Sequence, residues 1–123
     1  MAQALVLISG PEIARYGFPQ GHPFGSDRHA AFMTRLEQSP VAATLVRKSA
    51  RQATREELEY FHTPAYVDRV IELSARGGGF LDAGDTPAYR GVYEAAASVV
   101  GGTLEALAAI VAGPARRASS GPR

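Results

Sequence analysis

With 123 residues, the chain is long enough for one domain and too short for two comfortable ones. Hydrophobic residues make up 46% and charged residues 20%, an ordinary globular composition, and the formal net charge of +1 is too small to point to nucleic acid or a membrane surface as a partner. The lack of cysteine excludes a disulfide framework and a thiol nucleophile.

The opening MAQALVLISGPE has an apolar run without a basic segment ahead of it, so no secretory leader is expected and the expected compartment is the cytoplasm. Ala4 to Ile8 is brief, continuously apolar and closed by Ser9-Gly10-Pro11, which predicts a buried strand. From Glu12 to Gly25, the alternating Gly17, Pro19, Gly21, Pro23 and Gly25 predict a long irregular loop, of the kind that is functional or mobile in a compact domain. Ser26 or Asp27 then opens a helix to about Gln38, with Phe32, Met33 and Leu36 as its apolar face and Ser39-Pro40 as its stop. Val41 to Val46 predicts a second strand. Thr54-Arg55-Glu56-Glu57 has the spacing of a capping box and opens a short helix through Phe61. Thr63-Pro64 starts another, with Tyr66, Val67, Val70, Ile71 and Leu73 at helical spacing and Arg76-Gly77 as its end. A flexible Gly77-Gly78-Gly79 connector follows.

The longest apolar stretch runs from Gly84 to Gly113. Asp85 and Thr86 offer capping oxygens, Pro87 suits a first turn, and Gly113-Pro114 reads as a stop. Glu94, Ser98 and Glu105 fall near one line with Gly101 and Gly102, and the rest of the circumference is apolar, so the helix should be mostly buried. Three glycines, Gly91, Gly101 and Gly102, imply other backbone packed close to it, because each costs about 1 kcal/mol of helix propensity. Arg90, Glu94 and Glu105 argue against a membrane span. Residues 114–123, including Arg116 and Arg117, show no apolar face and are expected to be a disordered tail after a domain of residues 1–113. Two strands and four helices leave that long helix short of cover, which suggests one end of a larger α/β domain.

Three constellations could carry chemistry. In Gly21 to His29, glycines allow close backbone approach, and Arg28 stands in a first helical turn, where a guanidinium opposes the helix dipole unless it meets a carboxylate or ligand. A solvated arginine is the plain alternative. Asp27 and His29, with His22 and His62, do not make a clear three-ligand metal set, because residues two apart do not share a helix face. In Gly84-Asp85-Thr86-Pro87, Asp85 is either a helix cap or an acceptor for the backbone N–H groups of a ligand. No nucleophile elbow, phosphate loop or dinucleotide fingerprint is present.

GHPFGSDRHAAFMTRLEQ, TREELEYFHTPAYVDRVIELS and FLDAGDTPAYRGVYEAAASVVGGTLEALAAIVAG together resemble the opening third of the histone deacetylase superfamily, most nearly its bacterial acetoin utilization branch. The resemblance covers about residues 4 to 113. It implies the N-terminal part of an arginase/deacetylase-like three-layer α/β domain with a parallel sheet, incomplete in this chain. The implied family activity is zinc-dependent hydrolysis of an N-acetyl amide, with acetylated lysine or a small acetylated amine as partner and no nucleic acid or membrane. By resemblance, Arg28 matches the arginine at the inner end of the channel, Asp85 the rim aspartate that holds substrate backbone amides, Phe24 an apolar lining of the inner channel and Phe18 its wall. The family's zinc ligands, histidine pair and tyrosine are not matched here: the 123 residues contain no His-His pair. No catalytic or metal residue is therefore assigned, no zinc is expected on this chain, and it is expected to be inactive alone. The alternative is a non-catalytic binding or assembly module made from the same front half, with the oligomeric state open.

Overall fold

The computed structural model describes residues 4–19, 21–113 and 115–119. Three parallel strands form one sheet in the order β2-β1-β3: β1 is Ala4–Ser9, β2 Leu45–Ser49 and β3 Ala115–Ser119. Five helices accompany them: α1 Pro11–Ala14, α2 Asp27–Glu37, α3 Arg55–Leu58, α4 Pro64–Arg76 and α5 Val92–Ala112. The result is an α/β domain with the parallel sheet that was expected.

β1 is the centre of the sheet. Its Val6, Leu7 and Ile8 are all buried, as a continuous apolar run in a parallel sheet requires. β1 pairs with β2 from Leu5 opposite Leu45 to Ser9 opposite Ser49. The expected second strand, Val41 to Val46, is displaced. Pro40–Thr44 forms a 3-10 turn, entered where the Ser39 hydroxyl accepts the Val41 N–H at 3.2 Å, and the strand begins only at Leu45. Pairing with β1, not the β-branched Val41, sets its start. β2 lies at the sheet edge, which accounts for its Arg47 and Lys48: charge on an edge strand discourages pairing with other chains.

The sequence reading expects disorder after Gly113, whereas Ala115–Ser119 forms β3 on the other side of β1. A ladder is made by backbone N–H and C=O groups, so the open edge of β1 can recruit a segment whose composition carries no strand signal. Residues 114 and 120–123 of the expected tail lie outside the described residues.

α5 is the long apolar helix of the sequence reading, shortened at its start. It begins at Val92 after Gly91, which adopts a left-handed φ of 92°, and not at Pro87. Its first-turn capping comes from another element: the buried Ser74 hydroxyl of α4 accepts the Tyr93 N–H at 3.1 Å and donates to Glu94 Oε2 at 3.4 Å. Arg90 consequently lies before the helix, and among the described residues α5 is the one helix long and apolar enough to cross a bilayer, with a mean hydropathy of 1.8. Here its buried stripe is made of small residues, Ala95, Ser98, Gly101, Gly102, Ala106 and Ala109. Ala106 and Ala109 pack on Val6 and Ile8 of β1. The close backbone approach expected at the glycines is present at Gly101 alone of the three; Gly102 meets side chains, and Gly91 has nothing within 4 Å of its Cβ position. A Cβ on Gly101 would overlap the Arg51 carbonyl, and one on Gly102 would lie 3.1 Å from Ile13 Cδ1. The Ala53 N–H donates to the Ala97 carbonyl at 2.9 Å beside this contact. Glu105 meets Arg51 at 2.8 Å, and Arg51 also holds Glu57 of the capping box.

The capping box itself is formed: Thr54 Oγ1 accepts the Glu57 N–H at 3.2 Å, and Glu57 Oε1 accepts the Thr54 N–H at 2.9 Å. α3 nevertheless ends at Leu58, not Phe61. α4 has the expected bounds, with Gly77 left-handed at its C-terminus and its N–H on the Leu73 carbonyl at 2.8 Å. Pro11–Ala14 is helical where an unbroken loop from Glu12 is expected, because Pro11 fits a first helical turn.

Candidate functional site

Two loops meet at one end of the domain. The first lies between α1 and α2 and carries Tyr16, Phe18 and Phe24. It folds back on itself where the Phe18 N–H donates to the Phe24 carbonyl at 2.7 Å. Gly17 allows this, since a Cβ there would stand 2.5 Å from the Ser26 nitrogen. The turn gathers Tyr16, Phe18 and Phe24 edge to face at 5.6–6.3 Å between ring centroids. Phe18 is buried, and Arg28 lies over the Phe24 ring, its guanidinium carbon 4.3 Å from the centroid.

The second loop runs from Gly79 to Gly91. Its expected role, the first turn of the long helix, gives way to a tight rim. Asp82 Oδ1 accepts the N–H groups of Gly84, Asp85 and Thr86 at 3.0, 2.9 and 2.9 Å. Those bonds, the Thr86 bond first, hold the Asp82 carboxyl well below the usual carboxylate range. The Leu81 N–H donates to the Thr86 carbonyl at 2.9 Å and the Ala88 N–H to Gly79 at 2.8 Å. The capping oxygen that organises this segment is thus on Asp82. Asp85 keeps its side chain 91% exposed.

The two loops are tied at two points. Tyr89 accepts the Gly17 N–H at 3.3 Å and donates to the Arg15 carbonyl at 3.1 Å, with its ring 6.1 Å from Phe18. Burial pushes the Tyr89 and Tyr16 phenols up. His22 makes the second tie: its Nδ1 accepts the Phe24 N–H at 3.0 Å, and its Nε2 donates to the Asp85 carbonyl at 2.9 Å. Of the residues singled out from the sequence, Arg28, Phe24 and Phe18 share one cluster, and Asp85 reaches that cluster through His22. Sequence reasoning weighed His22 only as a metal ligand and missed Asp82 and Tyr89. Asp82 carried a readable signal, an aspartate two residues before Gly84, which favours an Asx turn.

Among the described residues no group of three His, Asp or Glu side chains is placed to hold a metal ion. His22 has both ring nitrogens engaged, and the His29 Nε2, though enclosed, makes no hydrogen bond among the described residues. The donors present do not fit a zinc site, and no step through zinc is derived from them. What the arrangement supplies is a rim carboxylate beside an aromatic and cationic cluster. A mostly apolar cleft of about 190 Å³, which none of Phe18, Phe24, Arg28 and Asp85 lines, is bounded by Tyr16, Tyr66, Val70, Val92 and Tyr93 among others.

This pairing of loops on a parallel α/β sheet belongs to a known class. Residues 22–122 match the family described as the histone deacetylase domain, and the chain belongs to that family. It is 33% identical over 122 residues to the acetoin utilization protein AcuC of Bacillus subtilis, covering 94% of this chain and 32% of that protein. It is 35% identical over 100 residues to a histone deacetylase-like amidohydrolase of Pseudomonas aeruginosa, covering 81% and 26%. The crystal structure of the HDA15 HD domain superposes with a TM-score of 0.82 over 95% of this chain and 34% of that one, a likeness of fold at 23% identity. The chain spans about a third or less of the length of these relatives.

Proposed function

We propose that these residues form the substrate-rim portion of a deacetylase acting on an N-acetyl amide, of the acetyl-lysine type. Asp85 accepts hydrogen bonds from the backbone amides that flank the acetylated side chain. Arg28, with Phe24 and Phe18, forms the inner wall toward which the acetyl end is directed. The observation that carries this reading is the meeting of the two family blocks, 21–28 and 82–89, through His22 and Asp85. An exposed carboxylate on a loop pinned by three N–H bonds is preorganised to accept amide N–H groups. Zinc chemistry, the acid–base pair and the oxyanion donor would come from residues other than these 123, so the chain alone is catalytically silent. We place it in the cytoplasm.

The test is NMR titration of the chain with Nε-acetyl-lysine capped by two backbone amides, with acetamide as control. The capped probe is expected to move the Asp85 and Thr86 amides, and Asp85→Ala to abolish that movement. Equal response to both probes, or no loss in Asp85→Ala, would refute the rim role.

A second reading, an assembly module, is favoured by one observation. Leu107, Ile110 and Val111 are 56%, 41% and 78% exposed on the outer flank of α5. Size-exclusion chromatography with light scattering separates the readings: a defined oligomer supports the module, and a monomer supports the rim portion alone.

A further inference from the structure

We propose that His22 is a positioning residue that fixes the backbone from which the Asp85 carboxylate projects and couples it to the Arg28 segment. The geometry comes from bonds on both sides of one residue. The peptide preceding the Asp85 Cα is fixed because its N–H lies on Asp82 Oδ1 at 2.9 Å. The peptide following it is fixed because its carbonyl accepts from His22 Nε2 at 2.9 Å. With both peptide planes held, φ and ψ at Asp85 are set, and only side-chain rotation remains. The carboxylate stands 3.9 Å from Nε2, too far for a hydrogen bond, so its oxygens stay available to a ligand.

The imidazole is itself held. Its ring lies 4.7 Å from the Phe18 ring, the side chain is 20% exposed, and Nδ1 is occupied by the Phe24 N–H. An acceptor at Nδ1 and a donor at Nε2 define the neutral Nε2–H tautomer. From Arg28 the chain of contacts runs through the Phe24 ring, the Phe24 N–H, the two nitrogens of His22 and the Asp85 carbonyl. A rim acceptor and an inner cation on different loops thus share one relay through His22, beside the separate tie that Tyr89 makes between the same loops. What Asp85 binds rests on the proposed function, whereas the coupling stands on these bonds alone.

The test uses the 15N-labelled chain and three variants. In the parent, His22 is expected as the Nε2–H tautomer by its ring 15N shifts. His22→Ala is expected to move the Phe24, Asp85 and Thr86 amides and leave Ala106 and Ala109, in the distant core, in place. His22→Gln places an amide nitrogen near the Nε2 position and should restore the Asp85 and Thr86 amides only. His22→Asn places an oxygen near Nδ1 and should restore Phe24 only. Weakened binding of capped Nε-acetyl-lysine in His22→Ala, recovered in His22→Gln, completes the expected result. An Nδ1–H tautomer, or Asp85 and Thr86 amides unmoved in His22→Ala, would overturn the proposal. If the probe binds no variant, the parent included, the substrate assignment fails, while tautomer and amide shifts still decide the coupling.

Discussion

The carbonyl oxygen of Arg51 occupies the space in which a side chain at Gly101 would begin. This contact lets the segment before α3 lie directly on α5, with the Ala53 N–H reaching the Ala97 carbonyl. Backbone cannot yield as a side-chain tip can. Gly101→Ala is therefore expected to destabilise the chain by about 3 kcal/mol, the upper range for over-packing. Gly102→Ala is tight only against the end of the Ile13 side chain, with Ala50 and Ile8 at ordinary contact distance, and gains helix propensity worth about 1 kcal/mol, so it should be nearly neutral. Urea denaturation of the two variants checks the contrast, and equal effects would contradict it.

Ser74 of α4 does for α5 what Asp85 and Thr86 do not. Its hydroxyl satisfies the Tyr93 N–H from a buried position. Ser74→Ala should cost about 1–2 kcal/mol, the range for losing a cap and leaving a buried donor without its partner. Asp85→Ala, at an exposed side chain outside α5, should stay within about 0.5 kcal/mol. The reverse order in thermal or urea unfolding would return the helix start to Pro87.

Glu57 predicts an acid dependence. Its hydrogen bonds, first to Arg51 and then to the Thr54 N–H, lower its pKa from the ordinary 4.5 to about 2. A depressed folded-state value means that the group stabilises the fold fully above the unfolded value, and that this is lost as pH falls through about 2. Glu57→Gln should accordingly be less stable than the parent at neutral pH, and the difference should shrink as pH falls from about 4.5 toward 2. Denaturant melts across that window read it out, and a gap that widens in acid would contradict the assignment.

Much of the fold was legible because it rests on local signals. The apolar run of β1, the Thr54–Glu57 box, Thr63-Pro64 opening α4 and Gly77 closing it each depend on neighbours in sequence. What escaped reading depends on distant partners. β2 starts where β1 lies beside it, β3 exists because β1 has a second open edge, and α5 starts where Ser74 reaches it. The candidate site shows the same division. Arg28, Phe24, Phe18 and Asp85 were identified by their blocks, but the bonds that join those blocks were not. His22 and Tyr89 act across 63 and 72 residues of chain, and no spacing rule spans such distances.

The central claim is that these residues build the rim of a deacetylase and not its hydrolytic centre. The direct measurement is zinc content and acetate release on the same purified 123-residue chain, after incubation with zinc and removal of the excess, using an acetyl-lysine peptide as substrate. The account predicts less than stoichiometric zinc and no acetate above the buffer rate. One tightly held zinc per chain together with turnover of the peptide would contradict it.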